Sequence, residues 1–244
     1  MIELFLLSTI SFVGGYVVGL TGFGFVLICV PLFTLLIDVK FAIVVSVILG
    51  WLSCIPLTIK LYSFVQHKVV LLLFLAAIPG SVIGTHVLDV VPSNYIVIAM
   101  ALVIITSSTY CLRFKSSQKQ ASSTRVTLST GFAAGVLSAS VGEGGPPIVS
   151  YSLMQPWSAQ QAKATMVAFF VLTMATTIIS FYVEGLLNQQ HLTLTLKLIP
   201  SLCVGLISGW LSFAFTQRKG INFQGIMHVL LIFLGTYLLV KTIY

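Results

Sequence analysis

The chain has 244 residues, 58% of them hydrophobic and 7% charged, with a formal net charge of +7. Soluble domains carry about 25% charged residues to coat a water-facing surface, so this composition excludes one and places the chain in lipid as a multi-span helical membrane protein. The apolar runs are long and unalternated, which excludes a transmembrane β-barrel, and the twelve Lys and Arg residues sit singly or in small loop clusters, which argues against nucleic acid and for membrane topology.

In chain order, residues 3–38 form a region too long for one helix and interrupted by glycine. Its apolar start has no Lys or Arg before it and no small-residue cleavage site after it, so it reads as mature structure and not as a signal peptide. Spans of about 20 residues, the length a bilayer core demands, are predicted at 41–61, 69–87 and 95–112. The stretch RFKSSQKQASSTR, residues 113–125, is polar and basic. A second glycine-broken region, 126–157, follows it, and three more spans are predicted at 162–182, 192–215 and 223–243. Cys29, Cys54, Cys111 and Cys203 are far apart, show no CxxC or Cys/His spacing, and read as small core residues and not as a disulfide or metal site.

The two sides of the polar stretch match each other. Gly15, Gly22 and Gly24 correspond to Gly135, Gly142 and Gly144 at a shift of 120 positions, Pro79 and Gly84 to Pro200 and Gly205 at 121, and Thr109-Tyr110 to Thr236-Tyr237 at 127. Their shared order predicts an internal duplication: a first repeat at 1–113, a linker loop at 114–125 and a second repeat at 126–244. If each broken region dips in and returns as a hairpin of two half-helices, each half crosses three times and the repeats are inverted; a single crossing would make them parallel. Charge favours the inverted arrangement. It gathers Lys60, Lys68, Arg113, Lys115, Lys119, Arg125, Lys163, Arg218 and Lys219 on the cytoplasmic side with the 114–125 loop, and leaves Glu3, Asp38, Asp89 and Glu184 outside with Lys40, Lys197 and Lys241. The predicted fold is therefore all-α: a polytopic membrane protein of two inverted repeats, each a glycine-broken re-entrant hairpin plus three transmembrane helices.

Duplicated halves suggest a transporter whose site lies where the repeats meet. VGEGGPPI, residues 141–148, reads as a helix stop, a reversal and a new start: glycine permits the turn, and Pro146 and Pro147 suit a helix's first turn. Its counterpart is Thr21-Gly22-Phe23-Gly24-Phe25. Two half-helix N-termini meeting at midplane present free N–H groups and partial positive charge. The candidate substrate-binding residues are thus Thr21, Gly22, Phe23, Gly24, Phe25, Gly142, Gly144, Gly145, Pro146 and Pro147, around a small anion. The competing reading makes both GxG turns helix-packing points. Glu143 is costly if ionised at that depth. It stands as a proton-coupling group, with a water-filled vestibule or nearby N–H partners as the alternatives. Trp51, Ser53 and Thr173 are candidate cavity-lining residues on the spans after each hairpin, although span Ser and Thr often bond to their own helix.

Gly19-Leu20-Thr21-Gly22-Phe23-Gly24-Phe25 with Pro31, and Gly142-Glu143-Gly144-Gly145-Pro146-Pro147 with Tyr151, resemble the paired signatures of the TauE/SafE family, also called sulfite-exporter-like or TSUP permeases. The resemblance covers essentially the whole chain. It implies a cytoplasmic-membrane carrier for small sulfur-containing anions such as sulfite or organosulfonates, and Glu143 departs from the apolar or small residue expected between those glycines. No cofactor or metal is implied, and protons and a homo-oligomer remain open as partners. The alternatives are an intramembrane enzyme, for which no HExxH, GxSxG or Ser/His arrangement is present, and an anion channel, which would want rings of like residues from several subunits.

Overall fold

A computed structural model of the protein describes residues 2–22, 24–113, 122–218 and 223–243, and these contain no strand. The helices are α1 (Ile2–Thr21), α2 (Phe25–Phe33), α3 (Val39–Leu61), α4 (His67–Val90), α5 (Ser93–Arg113), α6 (Thr124–Ser140), α7 (Gly145–Met154), α8 (Ala159–Val183), α9 (Gln189–Arg218) and α10 (Phe223–Ile243), with a 3-10 turn at Tyr62–Phe64. Among the described residues, six of them are long and apolar enough to cross a membrane: α1, α3 with its 3-10 extension, α4, α5, α8 and α9. This is the polytopic all-α class that the composition predicts.

Local chemistry sets the helix starts. The Asp38 carboxylate accepts from the N–H groups of Lys40 and Phe41 to begin α3. The Ser123 hydroxyl accepts from Val126 to begin α6, and Ser158 with Gln161 forms a capping box at α8. Each cap satisfies donors that the helix itself leaves open. The breaks between α1 and α2 and between α6 and α7 fall at Gly22 and Gly142, with φ of 86° and 77°. A side chain there would strain the backbone.

One expectation changes. α2 and α7 have nine and ten residues and are half-length, but α1 has 20, about 30 Å of helix, and is no half-helix. Gly14, Gly15 and Gly19 do not break it. They are contact points, where an added Cβ would collide with Cys29, with Leu202 and with Leu206 respectively.

The same device repeats at two helix crossings. α6 packs on α4 and α1 on α9. A Cβ at Gly80 or Gly84 of α4 would run into the carbonyls of Phe132 or Val136, and one at Gly205 or Gly209 of α9 into those of Phe12 or Tyr16. Small residues four apart let backbones approach closely where lipid supplies no hydrophobic drive. These contacts relate α1 to α6 at a shift of 120 but α4 to α9 at 125, one helical turn beyond the 121 that aligns the two prolines.

Contacts between helix ends fix their directions. Lys40 Nζ donates to the Asp89 carbonyl at 2.6 Å, and Phe41 stacks on His191 with centroids 4.0 Å apart. The start of α3, the end of α4 and the start of α9 therefore share one end of the bundle. At the other end Lys60 Nζ sits 3.7 Å from the Trp210 ring centroid, and the Gln66 N–H donates to Thr165 Oγ1 at 3.1 Å. Hence α3 and α8 run antiparallel, and so do α4 and α9. The α6–α7 hairpin opens at the second end, where Gln155 bonds Ser122 and Thr127 Oγ1 lies 2.8 Å from the Tyr151 hydroxyl. The α1–α2 hairpin opens at the first end, because α2 leads directly into the start of α3.

The outward faces of the long helices carry exposed Leu71, Leu75, Val82, Val204, Ile207 and Leu211, as a lipid-facing surface requires. Cys29 and Cys54 are buried as expected, but Cys203 lies on this exposed face. Replacing Gly84 by Leu is expected to lower stability by about 1–3 kcal/mol, since the Val136 backbone cannot yield to the new side chain. Denaturant titration of the purified protein in detergent measures it.

Candidate functional site

The two hairpin turns approach from opposite ends of the bundle and bound a cavity of about 50 Å³. That is several times the space one buried water needs, enough for a small solute of a few heavy atoms. The first turn contributes Gly24 and the opening residues of α2, Phe25, Val26 and Leu27; the second contributes Gly142, Glu143, Gly144, Gly145 and Pro146. α3 adds Gly50 and Cys54, and α8 adds Phe170 and Met174.

Much of the lining pairs at a single shift along the chain. Val18 and Ser138, Gly24 and Gly144, Phe25 and Gly145, Val26 and Pro146, Gly50 and Phe170, and Cys54 and Met174 all line the cavity, each pair separated by 120 positions. The supports of the turns follow the same shift: an added Cβ at Gly22 would meet the Lys163 stem, and one at Gly142 would lie 3.7 Å from Ile43.

These paired turns, glycine-broken and followed by short helices, extend over a chain that a single family description spans. The sequence model of the sulfite exporter TauE/SafE family matches residues 7–238. The chain belongs to the TauE/SafE family. It is accordingly a multi-pass membrane protein of a transporter family, with six helices fit to cross a bilayer among the described residues. No curated protein and no solved structure matches it.

Within this TauE/SafE member the equivalent walls differ in donors. α2 begins at Gly24 without a side-chain cap. Its first internal bond is the Ile28 N–H to the Gly24 carbonyl at 3.2 Å. The N–H groups of Phe25, Val26 and Leu27 have no protein partner among the described residues, as at any uncapped helix start. In α7 the same turn reads Gly145-Pro146-Pro147, and proline has no N–H to offer. Glu143 is 1% exposed, its N–H donates to the Leu137 carbonyl at 3.0 Å, and its Oε1 has no partner among the described residues. The first turn thus carries amide donors, and the second a buried carboxylate.

Of the residues singled out from the sequence, Gly24, Phe25, Gly142, Glu143, Gly144, Gly145 and Pro146 line the cavity. Thr21, Gly22 and Pro147 do not. The Thr21 hydroxyl bonds back to Val17 at 2.9 Å, and Gly22 supports the turn against Lys163. Phe23 lies outside the described residues. Trp51 donates Nε1–H to the Val171 carbonyl at 3.1 Å and pins α3 to α8. Ser53 bonds to the Gly50 carbonyl at 2.7 Å within its own helix, and Thr173 Oγ1 is buried without a partner among the described residues. The cavity faces of α3 and α8 are instead Gly50 with Cys54 and Phe170 with Met174, which the 120-position shift relates. Ser107 of α5 also lines it, and no sequence signal points there.

Gly142→Ala is expected to lower stability by about 1–2 kcal/mol, through the left-handed backbone a side chain resists. An added Cβ at Gly145 meets nothing within 4 Å, so Gly145→Ala should change stability by no more than about 0.5 kcal/mol. Thermal unfolding of both variants in one detergent checks the contrast.

Proposed function

We propose that the protein is a permease that carries a small sulfur-containing anion, sulfite or a short organosulfonate, across the cytoplasmic membrane by alternating access. The single observation that carries this reading is the cavity between the two hairpin turns, lined by residues that pair at a shift of 120 positions and by the first turn of α2, whose N–H groups have no partner among the described residues. A helix start with open donors favours negative charge.

In this reading the chain is two inverted repeats, 1–113 and 126–244, joined by the 114–125 loop on the cytoplasmic side. The antiparallel course of α3 against α8 and of α4 against α9 supports it. So does the approach of the hairpins from opposite ends. The end where Lys60, Lys163 and the Gln66–Thr165 bond gather is then cytoplasmic, as the basic-loop rule asks. Substrate is released when one half rocks against the other around the cavity.

Glu143 is the proton-coupling group of the proposal. A carboxylate whose Oε1 has no partner among the described residues is poorly tolerated as an ion at this depth, so it holds a proton in one half of the cycle and gives it up in the other.

Flux of labelled sulfite and of ethanesulfonate in proteoliposomes, with and without a pH gradient, tests both parts. Saturable flux driven by the gradient in the native protein, and insensitive to it in Glu143→Gln, is the expected result. Gly145→Leu, which fills the cavity, should reduce flux at least tenfold in protein that keeps its fold. Absence of flux for every anion from folded native protein would sink the permease reading, and gradient-driven flux in Glu143→Gln would remove the coupling role.

A further inference from the structure

We infer that the cavity is bipolar: it holds the anionic end of its substrate at the start of α2 and a hydrogen-bond donor of the same substrate at Glu143. The preferred substrate class is then a small anion that also carries an ammonium or a comparable donor, and not a bare anion. This rests on the permease reading above and names the chemistry of its substrate.

Two independent observations carry it. The first is the inequality of the walls. Three adjacent N–H groups, of Phe25, Val26 and Leu27, open α2 without partners among the described residues. The same positions of α7 are Gly145, Pro146 and Pro147, of which only glycine has an N–H. A symmetric anion site formed by both helix starts, as the sequence suggests, is therefore not built. The second is Glu143, 1% exposed, lining the same cavity with Oε1 unpartnered among the described residues. A buried acceptor of this kind is costly unless something bonds to it.

A bare anion beside an ionised Glu143 would put two negative charges in one small apolar cavity. A substrate with its own donor removes that conflict: its oxyanion meets the α2 amides and its donor meets the carboxylate. In the empty cavity a proton on Glu143 fills the same need, so substrate donor and proton occupy one acceptor in turn. Few other groups interfere. Among the described residues, Cys54 of α3 is the other titratable side chain lining the cavity, and α1, α2, α5, α6 and α8 contribute none to the wall. Lys163 of α8 lies at Gly22, behind the first turn.

Aminomethanesulfonate and ethanesulfonate form a matched pair, differing by ammonium against methyl at one end. Binding of each to the full-length protein in detergent is measured by titration calorimetry, followed by flux in proteoliposomes. The native protein should bind aminomethanesulfonate about 10-fold tighter or more, as a charged hydrogen bond provides, and Glu143→Gln should bring the two to near equality. Val26→Pro removes one α2 amide by repeating what Pro146 does at the equivalent position, and should weaken both ligands several-fold while leaving their ratio unchanged. If ethanesulfonate binds the native protein as well as aminomethanesulfonate, or Glu143→Gln keeps the preference, the bipolar cavity is wrong, while flux of ethanesulfonate leaves the permease standing. Loss of flux for every anion from folded protein instead overturns the permease, and this inference with it.

Discussion

A backbone N–H or C=O inside a bilayer has no water to bond, so an interruption of a helix at that depth must be covered by protein or line a cavity. This chain interrupts its helices at Gly22 and at Gly142, and side chains from other helices cover both turns. The Lys163 stem lies over the first turn, and Val26, Val30 and Ile43 lie over the second. What they leave uncovered is the small cavity between. Bringing two broken hairpins together from opposite ends also requires their long arms to fit closely against the other half. The glycine contacts between α4 and α6 and between α1 and α9 permit that approach, with a backbone carbonyl where a Cβ would be.

The cavity is lined by residues that pair at a shift of 120 positions but differ in chemistry. Its equivalent positions exchange bulk: Phe25 faces the role of Gly145, and Phe170 that of Gly50. Polarity is redistributed too. Ser138 stands at the place of Val18, Pro146 and Pro147 remove amides that α2 retains, and Glu143 stands at the place of Phe23 in the shift of 120. Equivalent backbones therefore enclose a cavity whose two walls differ in chemistry.

The faces of the spans were the least legible part. Trp51, Ser53 and Thr173 lie at the right level along α3 and α8, yet Gly50, Cys54, Phe170 and Met174 form the wall. Neighbouring positions on a helix differ by about 100° of rotation. The first half of α3 is buried nearly all round, so hydrophobic periodicity has no polar face by which to orient it. The same lack of contrast hid the one-turn drift between α4 and α9, which depends on which glycines meet carbonyls and not on where the prolines align.

By itself the sequence determined the membrane class, nearly all the helices, both interruptions and the TauE/SafE resemblance. These follow from composition, run length and the backbone freedom of glycine and proline, all of which are local. Tertiary structure decided that α1 runs full length, which helix faces wall the cavity, and that, among the described residues, the first amides of α2 and the Glu143 carboxylate are left without partners. Those depend on rotation about helix axes and on which neighbour fills each gap, and such contacts join residues more than a hundred positions apart.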